Sequence, residues 1–383
     1  MRNSSRSGVD PFIVMDVMEA ARQAEAAGRR VIHMEVGQPS TPAPAGARAA
    51  LTQAMGADAL GYTVALGLPA LRARIARLYT DWYGLDINPE RIVVTAGASG
   101  AFVLGFTALF DAGARVALGA PGYPSYRQIL KALSLTPVAL ETALENRLQP
   151  VAGDVPSDVD GLIVASPANP SGTMLDRAAL SALITRCHDI GANFISDEIY
   201  HGIQYEGRAI SALEVSDDIL VINSFSKYFS MTGWRVGWMV VPESDIRVYE
   251  RLAQNMFICP PHASQVTALA ALDCTEELDA NLEVYKANRA LMIEKLPPAG
   301  LPDFAPPDGA FYIYADVSRW TDDSRSLAAE ILDEVGVAVT PGLDFDAVRG
   351  HQTLRLSYAR STEDIEEGIA RLARFFAKRE PRQ

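Results

Sequence analysis

Lys227 stands in the segment Ser224-Phe225-Ser226-Lys227-Tyr228-Phe229-Ser230-Met231-Thr232-Gly233-Trp234-Arg235-Val236-Gly237. Two hydroxyls closely precede the lysine, and Arg235 lies eight positions on in a Gly-Trp-Arg-Val-Gly turn. A lysine amine can condense with a carbonyl. A guanidinium fork and two hydroxyls can hold a phosphate. The apolar run Ile219–Ile222 before them reads as a buried strand. A solvated surface lysine would need neither the serines nor the arginine.

Two further groups suit the same chemistry. Gly97-Ala98-Ser99-Gly100 opens a helix, where free backbone N–H groups and the positive end of the dipole favour an anion. Its small residues let a phosphate approach closely, although an ordinary capped helix start has the same composition. Asp197 ends a hydrophobic strand, and a carboxylate buried there needs a partner. Read alone, it serves equally as the N-cap of a helix or as the partner of a buried cation.

These residues need a scaffold that gathers strand ends. From about residue 88 to 240 apolar runs alternate with helical patterns. Strands are predicted at Arg91–Thr95, Arg115–Leu118, Leu162–Ala165, Asn193–Ser196 and Leu220–Ser224. Helices are predicted at Ser99–Phe110, Ser125–Ala132 and Asp176–Ile190, the last closed by Gly191. Such a pattern implies a mostly parallel sheet covered by helices on both faces. Ligands of these sheets bind beyond the carboxyl ends of the strands. There the sequence places, strand after strand, Gly97–Gly100, Gly122-Tyr123-Pro124, Asn169-Pro170-Ser171-Gly172, Asp197-Glu198-Ile199-Tyr200 and the lysine segment.

The flanks read as a second unit. Asp10-Pro11 suits a helix start, N-cap then N1, and Gly28 a stop. Val31–Val36 reads as a strand, and Pro39, Pro42 and Pro44 make an extended linker. A long helix is predicted over Leu278–Leu296, before Pro297-Pro298. Strand-like segments follow at Ala310–Tyr314, Val337–Val339 and Thr353–Tyr358, with two helices, the last starting at Ser361. The expected division is a large domain over residues 46–284 and a smaller α+β domain formed by residues 1–45 and 285–383.

Composition excludes several classes. The 383-residue chain carries a formal net charge of -13, which opposes a nucleic-acid or anionic-membrane partner. Cys187, Cys259 and Cys274 form neither a disulfide framework nor a zinc pattern. Cys259-Pro260-Pro261-His262 has a metal-like spacing, but no second pair completes a site, so no metal is expected. No apolar run approaches membrane-spanning length, and no signal core follows Arg2 and Arg6. A cytoplasmic protein is the expectation. His33, His188 and His351 read as surface or packing residues. His262 opens a helix, and His201 carries no assigned role.

The lysine segment closely resembles the Schiff-base lysine motif of the class I and II aminotransferases, in their aspartate, alanine and aromatic aminotransferase-like branch. Gly37-Gln38-Pro39, Asn169–Gly172 and Asp197–Tyr200 reinforce the resemblance in the same order, and it spans nearly the whole chain. It implies fold type I of the pyridoxal 5'-phosphate (PLP) enzymes, with Lys227 as the Schiff-base lysine and Asp197 as partner of the ring nitrogen. It further implies Tyr200 and Asn169 at the phenolic oxygen and Tyr123 stacked on the ring. Ala98, Ser99, Gly100, Ser224, Ser226 and Arg235 would hold the phosphate, with Ser224 the closer match of the two serines. Tyr62, in Gly61-Tyr62-Thr63, matches a tyrosine that reaches the phosphate of a neighbouring subunit, so a homodimer with shared sites is implied. Arg355 matches the arginine that grips the substrate carboxylate, with Asn169 and Gly37 also lining the substrate site.

The expected activity is exchange of an amino group between an L-amino acid and a 2-oxo acid by a ping-pong mechanism, with Lys227, Asp197 and Tyr200 as the catalytic set. Phe12-Ile13-Val14-Met15 stands where some aspartate-specific relatives carry hydroxyls, which leans towards apolar or aromatic substrates. A carbon–sulfur β-lyase on the same fold is the alternative, since it uses the same lysine, aspartate and arginine. A transcription regulator with an aminotransferase-like domain would need a helix-turn-helix domain, and only about 45 residues precede the α/β block.

Overall fold

A computed structural model describes residues 1–382. From the N-terminus, α1 (Ile13–Ala26) leads to β1 (Ile32–His33), and α2 (Ala45–Ala57) and α3 (Pro69–Tyr83) follow the prolines. The alternating block supplies β2 (Ile92–Thr95), α4 (Gly97–Leu109), β3 (Arg115–Ala120), α5 (Pro124–Ala132) and β4 (Thr136–Glu141). It continues with β5 (Gly161–Ala165), α6 (Arg177–Ile190), β6 (Asn193–Asp197), β7 (Leu220–Ser224) and β8 (Gly237–Val240). Then come α7 (Ile246–Met256), α8 (His262–Ala271) and α9 (Thr275–Lys295). The C-terminal part holds β9 (Tyr312–Asp316), α10 (Ser324–Val335), β10 (Val337–Ala338), β11 (Thr340–Pro341), β12 (Thr353–Ser357) and α11 (Thr362–Phe376).

Local chemistry sets the helix ends. Asp176 caps α6 by accepting from Ala179 N at 2.8 Å, and Gly191 closes it at φ +72°. Ser361 caps α11 by accepting from Asp364 N at 3.2 Å.

The main sheet has the order β2-β8-β7-β6-β5-β3-β4. Strands β3 to β7 run parallel where they pair, while β8 is antiparallel to both β2 and β7. Both faces are buried, which is why the strands read as continuous apolar runs. Ile163, Ile195, Ile222 and Met239 pack on one side with Phe102 and Phe106 of α4. Leu162, Val164, Phe194, Val221 and Trp238 pack on the other with Leu180 and Leu183 of α6. Each such side chain, fully buried, contributes about 1.5–3 kcal/mol. A second sheet, β11-β12-β9, is antiparallel, and β1 pairs in parallel with β10. The N-terminal segment therefore joins the C-terminal part through backbone hydrogen bonds.

Several sequence expectations are corrected. Asp10 does not cap α1: the helix starts at Ile13, and Asp10 instead pairs with Lys131 and Gln128. The strand expected at Val31–Val36 shortens to Ile32–His33, because only that stretch faces β10. The strand expected from Ala310 begins at Tyr312, where its ladder with β12 begins. Strands β4, β8 and β11 have no counterpart among the predicted elements. Thr136–Glu141 is an edge strand with Thr136, Ala139 and Glu141 exposed, and Gly237–Val240 is wholly buried between β2 and β7. No helix follows Asp197, so it caps none, and its Oδ1 accepts from Ile199 N in a turn at 3.1 Å. Among the described residues no helix is long and apolar enough to cross a membrane.

Candidate active site

The carboxyl ends of β5, β6 and β7 open into a cavity of about 230 Å³ between the main sheet, α1 and the C-terminal sheet. Lys227, Asp197, Tyr200, Asn169, Tyr123, Ala98, Ser99, Ser226, Arg235, Gly37 and Arg355 all line it. Residues from turns after separate strands thus share one space, as parallel strand ends dictate.

The Lys227 amine donates to Gly37 O at 2.7 Å. Desolvation at the cavity floor lowers its pKa to about 7, helped by the charges of Arg355 and Arg235 and opposed by Asp197. Asp197 is fully enclosed, and burial raises its pKa to about 6. Hydrogen bonds from Tyr126 and Ile199 N and the charge of Lys227 hold it below a still higher value. The Tyr126 hydroxyl donates to Asp197 Oδ2.

Arg355 lies on β12 and is 3% exposed. It donates to Asn169 Oδ1 at 3.0 Å and to Glu35 O at 2.5 Å. Its guanidinium carbon lies 4.5 Å from the centre of the Tyr312 ring and 4.7 Å from that of Phe345. Two aromatic faces and three acceptors, the third being Thr340 Oγ1 at 3.5 Å, fix the fork. Its buried Nε meets no acceptor, and among the described residues no carboxylate pairs with it. An uncompensated buried guanidinium beside open space is built to receive an anion. Tyr312 also shares a hydrogen bond with Tyr200 between their hydroxyls, at 2.7 Å.

A second anion cradle lies at the start of α4. No side chain caps this helix, so its first-turn N–H groups remain available. Arg235 sits over Gly97 and donates to Thr232 O at 2.8 Å. A Cβ on Gly97, which has φ +73°, would run into the Arg235 guanidinium. Gly237 is equally constrained, since its Cβ would lie 3.0 Å from Gly97 C and 3.1 Å from Ala98 N. The two glycines let arginine, helix start and β8 converge.

Three sequence-predicted residues lie off the cavity. Ser224 stands behind Ser226, its hydroxyl 2.8 Å from that of Ser226 and donating to Val236 O at 3.1 Å. Ser226, rather than Ser224, forms the wall. Gly100 faces the opposite side of α4, against Val94 and Ala253. Tyr62 is 83% exposed and lies with Cys259 and His262 at the surface. There His262 Nδ1 lies 2.9 Å from Gly61 O, and Cys259 Sγ accepts from Thr63 N at 3.5 Å. Among the described residues no three potential ligands gather into a metal site.

Sequence reasoning missed Tyr126 and Tyr312. Tyr126 follows Tyr123 by three positions at the start of a helix, so one face carries both. Phe12, Val14, Met15, Met18 and Val36 add an apolar wall opposite the polar floor. His201 is buried beside the site but not in it. Its Nε2–H donates to Ser166 O at 2.8 Å, so its Nδ1 accepts from the Tyr83 hydroxyl at 2.6 Å.

The chain is similar to known proteins over nearly its whole length. The family described as aminotransferase class I and II matches residues 29–372. The valine–pyruvate aminotransferase of Mycobacterium tuberculosis is 43% identical over 97% of both chains. The aspartate/prephenate aminotransferase of Thermus thermophilus is 31% identical, over 99% of this chain and 100% of that one. A crystal structure from Silicibacter pomeroyi, 68% identical, superposes with a TM-score of 0.95 over 99% of this chain and all of that one. With the family model covering most of the chain and a relative 43% identical over 97% of it, the chain belongs to the class I and II aminotransferases.

Proposed function

We propose that the protein is a PLP-dependent aminotransferase acting on apolar amino acids, with a 2-oxo acid as the amino acceptor. The observation that carries this reading is the convergence of Lys227, Asp197 and Arg355 on one cavity whose far wall is Phe12, Val14, Met15 and Met18. The likeness to a valine–pyruvate aminotransferase supports the apolar choice.

The residues present fit the cofactor. The uncapped start of α4, Ser226 and Arg235 suit its phosphate, Asp197 its ring nitrogen, and Tyr123, Asn169 and Tyr200 its ring edge and face. Bound there, PLP would supply an aldehyde for an amine and a ring that withdraws electrons from the substrate's Cα. Arg355 binds the substrate carboxylate as a bidentate fork. The apolar wall takes the side chain and excludes water. The Lys227 amine, neutral for much of the time near pH 7, removes and returns the Cα proton. Asp197, held as a carboxylate by the Tyr126 hydroxyl, stabilises positive charge at the ring nitrogen.

Tyr62 is read as a phosphate contact given to a second copy, which makes the enzyme a homodimer. Tyr62, Val64, Met256, Phe257 and Ile258 are all exposed, an apolar surface that suits a second copy. The division at residues 46 and 285 belongs to the same reading.

The test is an absorption titration of the holoenzyme with valine, leucine, phenylalanine, alanine and aspartate, without any oxo acid. Loss of the cofactor's visible band, fastest with the apolar donors, is the expected result. A persistent band with accumulation of pyruvate and ammonia from a cysteine conjugate would replace transamination by β-elimination.

A further inference from the structure

Helix α1 opens without a cap of its own. Phe12 occupies the N-cap position and offers no acceptor to the first turn. The acceptor comes from far along the chain. The two carboxylate oxygens of Asp344 accept from Ile13 N at 3.2 Å and Val14 N at 3.1 Å, across 331 and 330 positions. Asp344 is 3% exposed, so these bonds are sheltered from water. A carboxylate at a helix N-terminus meets both free donors and the positive end of the dipole.

The same loop touches two other walls of the cavity. Phe345, the next residue, places its ring against the Arg355 guanidinium. The carbonyls of Asp344 and Phe345 accept from Arg127 of α5, at 2.8 Å and 3.0 Å. Tyr123, which precedes α5, meets Phe12 edge-on, with ring centres 6.1 Å apart. The loop is itself braced, since a Cβ on Gly350 would run into the backbone of Gly342 and Leu343. Residues 344–345 thus connect the apolar wall, the carboxylate clamp and the aromatic wall.

We propose that Asp344 is a positioning residue for substrate selection: it fixes the start of α1 relative to Arg355, so that the gap between clamp and wall suits a branched or larger apolar side chain. Asp344 is not among the residues lining the cavity. It acts through Phe12, Val14 and Met15, whose placement follows from the first turn it caps. The inference rests on the aminotransferase reading given above.

The test uses the holoenzyme and follows the half-reaction at varied concentrations of valine and of alanine. In Asp344→Asn one acceptor oxygen becomes a donor facing a backbone N–H, so the first turn of α1 shifts. The half-saturating concentration of valine should rise about tenfold relative to that of alanine, because alanine does not reach the wall. Limiting rates should fall, if at all, by a common factor. Arg127→Gln loosens the same loop from α5 and should shift the ratio in the same direction, which keeps the test alive if Asp344→Asn folds poorly. Amide exchange at Ile13 and Val14 should rise in both variants. An unchanged valine-to-alanine ratio in the folded variants would overturn the inference alone. An unmodified enzyme with no preference for valine over aspartate would overturn the apolar reading, and this inference with it.

Discussion

The amine of Lys227 donates to the backbone carbonyl of Gly37, 190 positions earlier, at 2.7 Å. One bond joins the turn after β7 to the segment after β1. Gly37 permits it, because a Cβ there would run into the Tyr312 hydroxyl. The amine is thereby aimed into the cavity between its two sheets, with Arg355 and Arg235 near enough to depress its pKa.

That environment gives the first prediction. With its pKa lowered to about 7, Lys227 is largely neutral above that pH and protonated below it. In the cofactor-free protein, acylation of Lys227 followed by mass spectrometry should titrate near pH 7, while surface lysines react only at much higher pH. Lys227→Ala should lower the rate of Cα proton transfer by at least about a thousandfold. Multiple turnover by this variant without added amine would remove Lys227 from the mechanism.

Arg355→Lys tests the clamp. Lysine keeps the charge but loses the planar fork and its packing between Tyr312 and Phe345. The expected loss in kcat/KM is about a hundredfold, carried mostly by KM, since charge-assisted hydrogen bonds of about 1.5–3 kcal/mol are removed. Equal losses for an amino acid and its decarboxylated amine would show that Arg355 does not read the carboxylate.

Gly97→Ala addresses the anion cradle. The added methyl group meets the Arg235 guanidinium, and the backbone is already at φ +73°. Retention of PLP on dialysis should weaken by at least about tenfold, with the fold kept in far-ultraviolet circular dichroism. Wild-type retention would place the phosphate elsewhere.

Glu198, next to Asp197, gives a prediction about stability. It is fully buried and accepts from Ala212 N at 2.8 Å and from the Ser211 hydroxyl at 2.9 Å. Burial raises its pKa from an ordinary 4.5 to about 8. His201, 3.6 Å away, forms no ion pair with it, because burial lowers the histidine pKa to about 4. Between pH 4.5 and 8 the folded state holds a proton that the unfolded chain has lost. This group's contribution therefore makes stability fall as pH rises through that window. Glu198→Gln should remove that slope from urea-denaturation midpoints of the cofactor-free protein. An identical pH profile in both proteins would mean that Glu198 is ionised when folded.

The alternation of apolar runs and helical patterns was enough, as sequence, to specify a parallel sheet, because strands buried on both faces leave no choice of residue type. Glycine and aspartate marked the ends of α6 for equally local reasons. The order of polar turns located Lys227, Asp197, Asn169 and Arg235 at strand ends. Other features depended on contacts across hundreds of residues, which no local pattern encodes. Tyr126 reaches Asp197 only because α5, packed against β4 and α4, brings it to the end of β6. Ser226 takes the wall and Ser224 the support because the turn twists between them. Asp10-Pro11 imitates a helix start, but the true cap of α1, Asp344, comes from the far end of the chain. Side-chain chemistry is written residue by residue, but the burial that tunes Lys227 and Asp197 exists only once the two sheets close on each other.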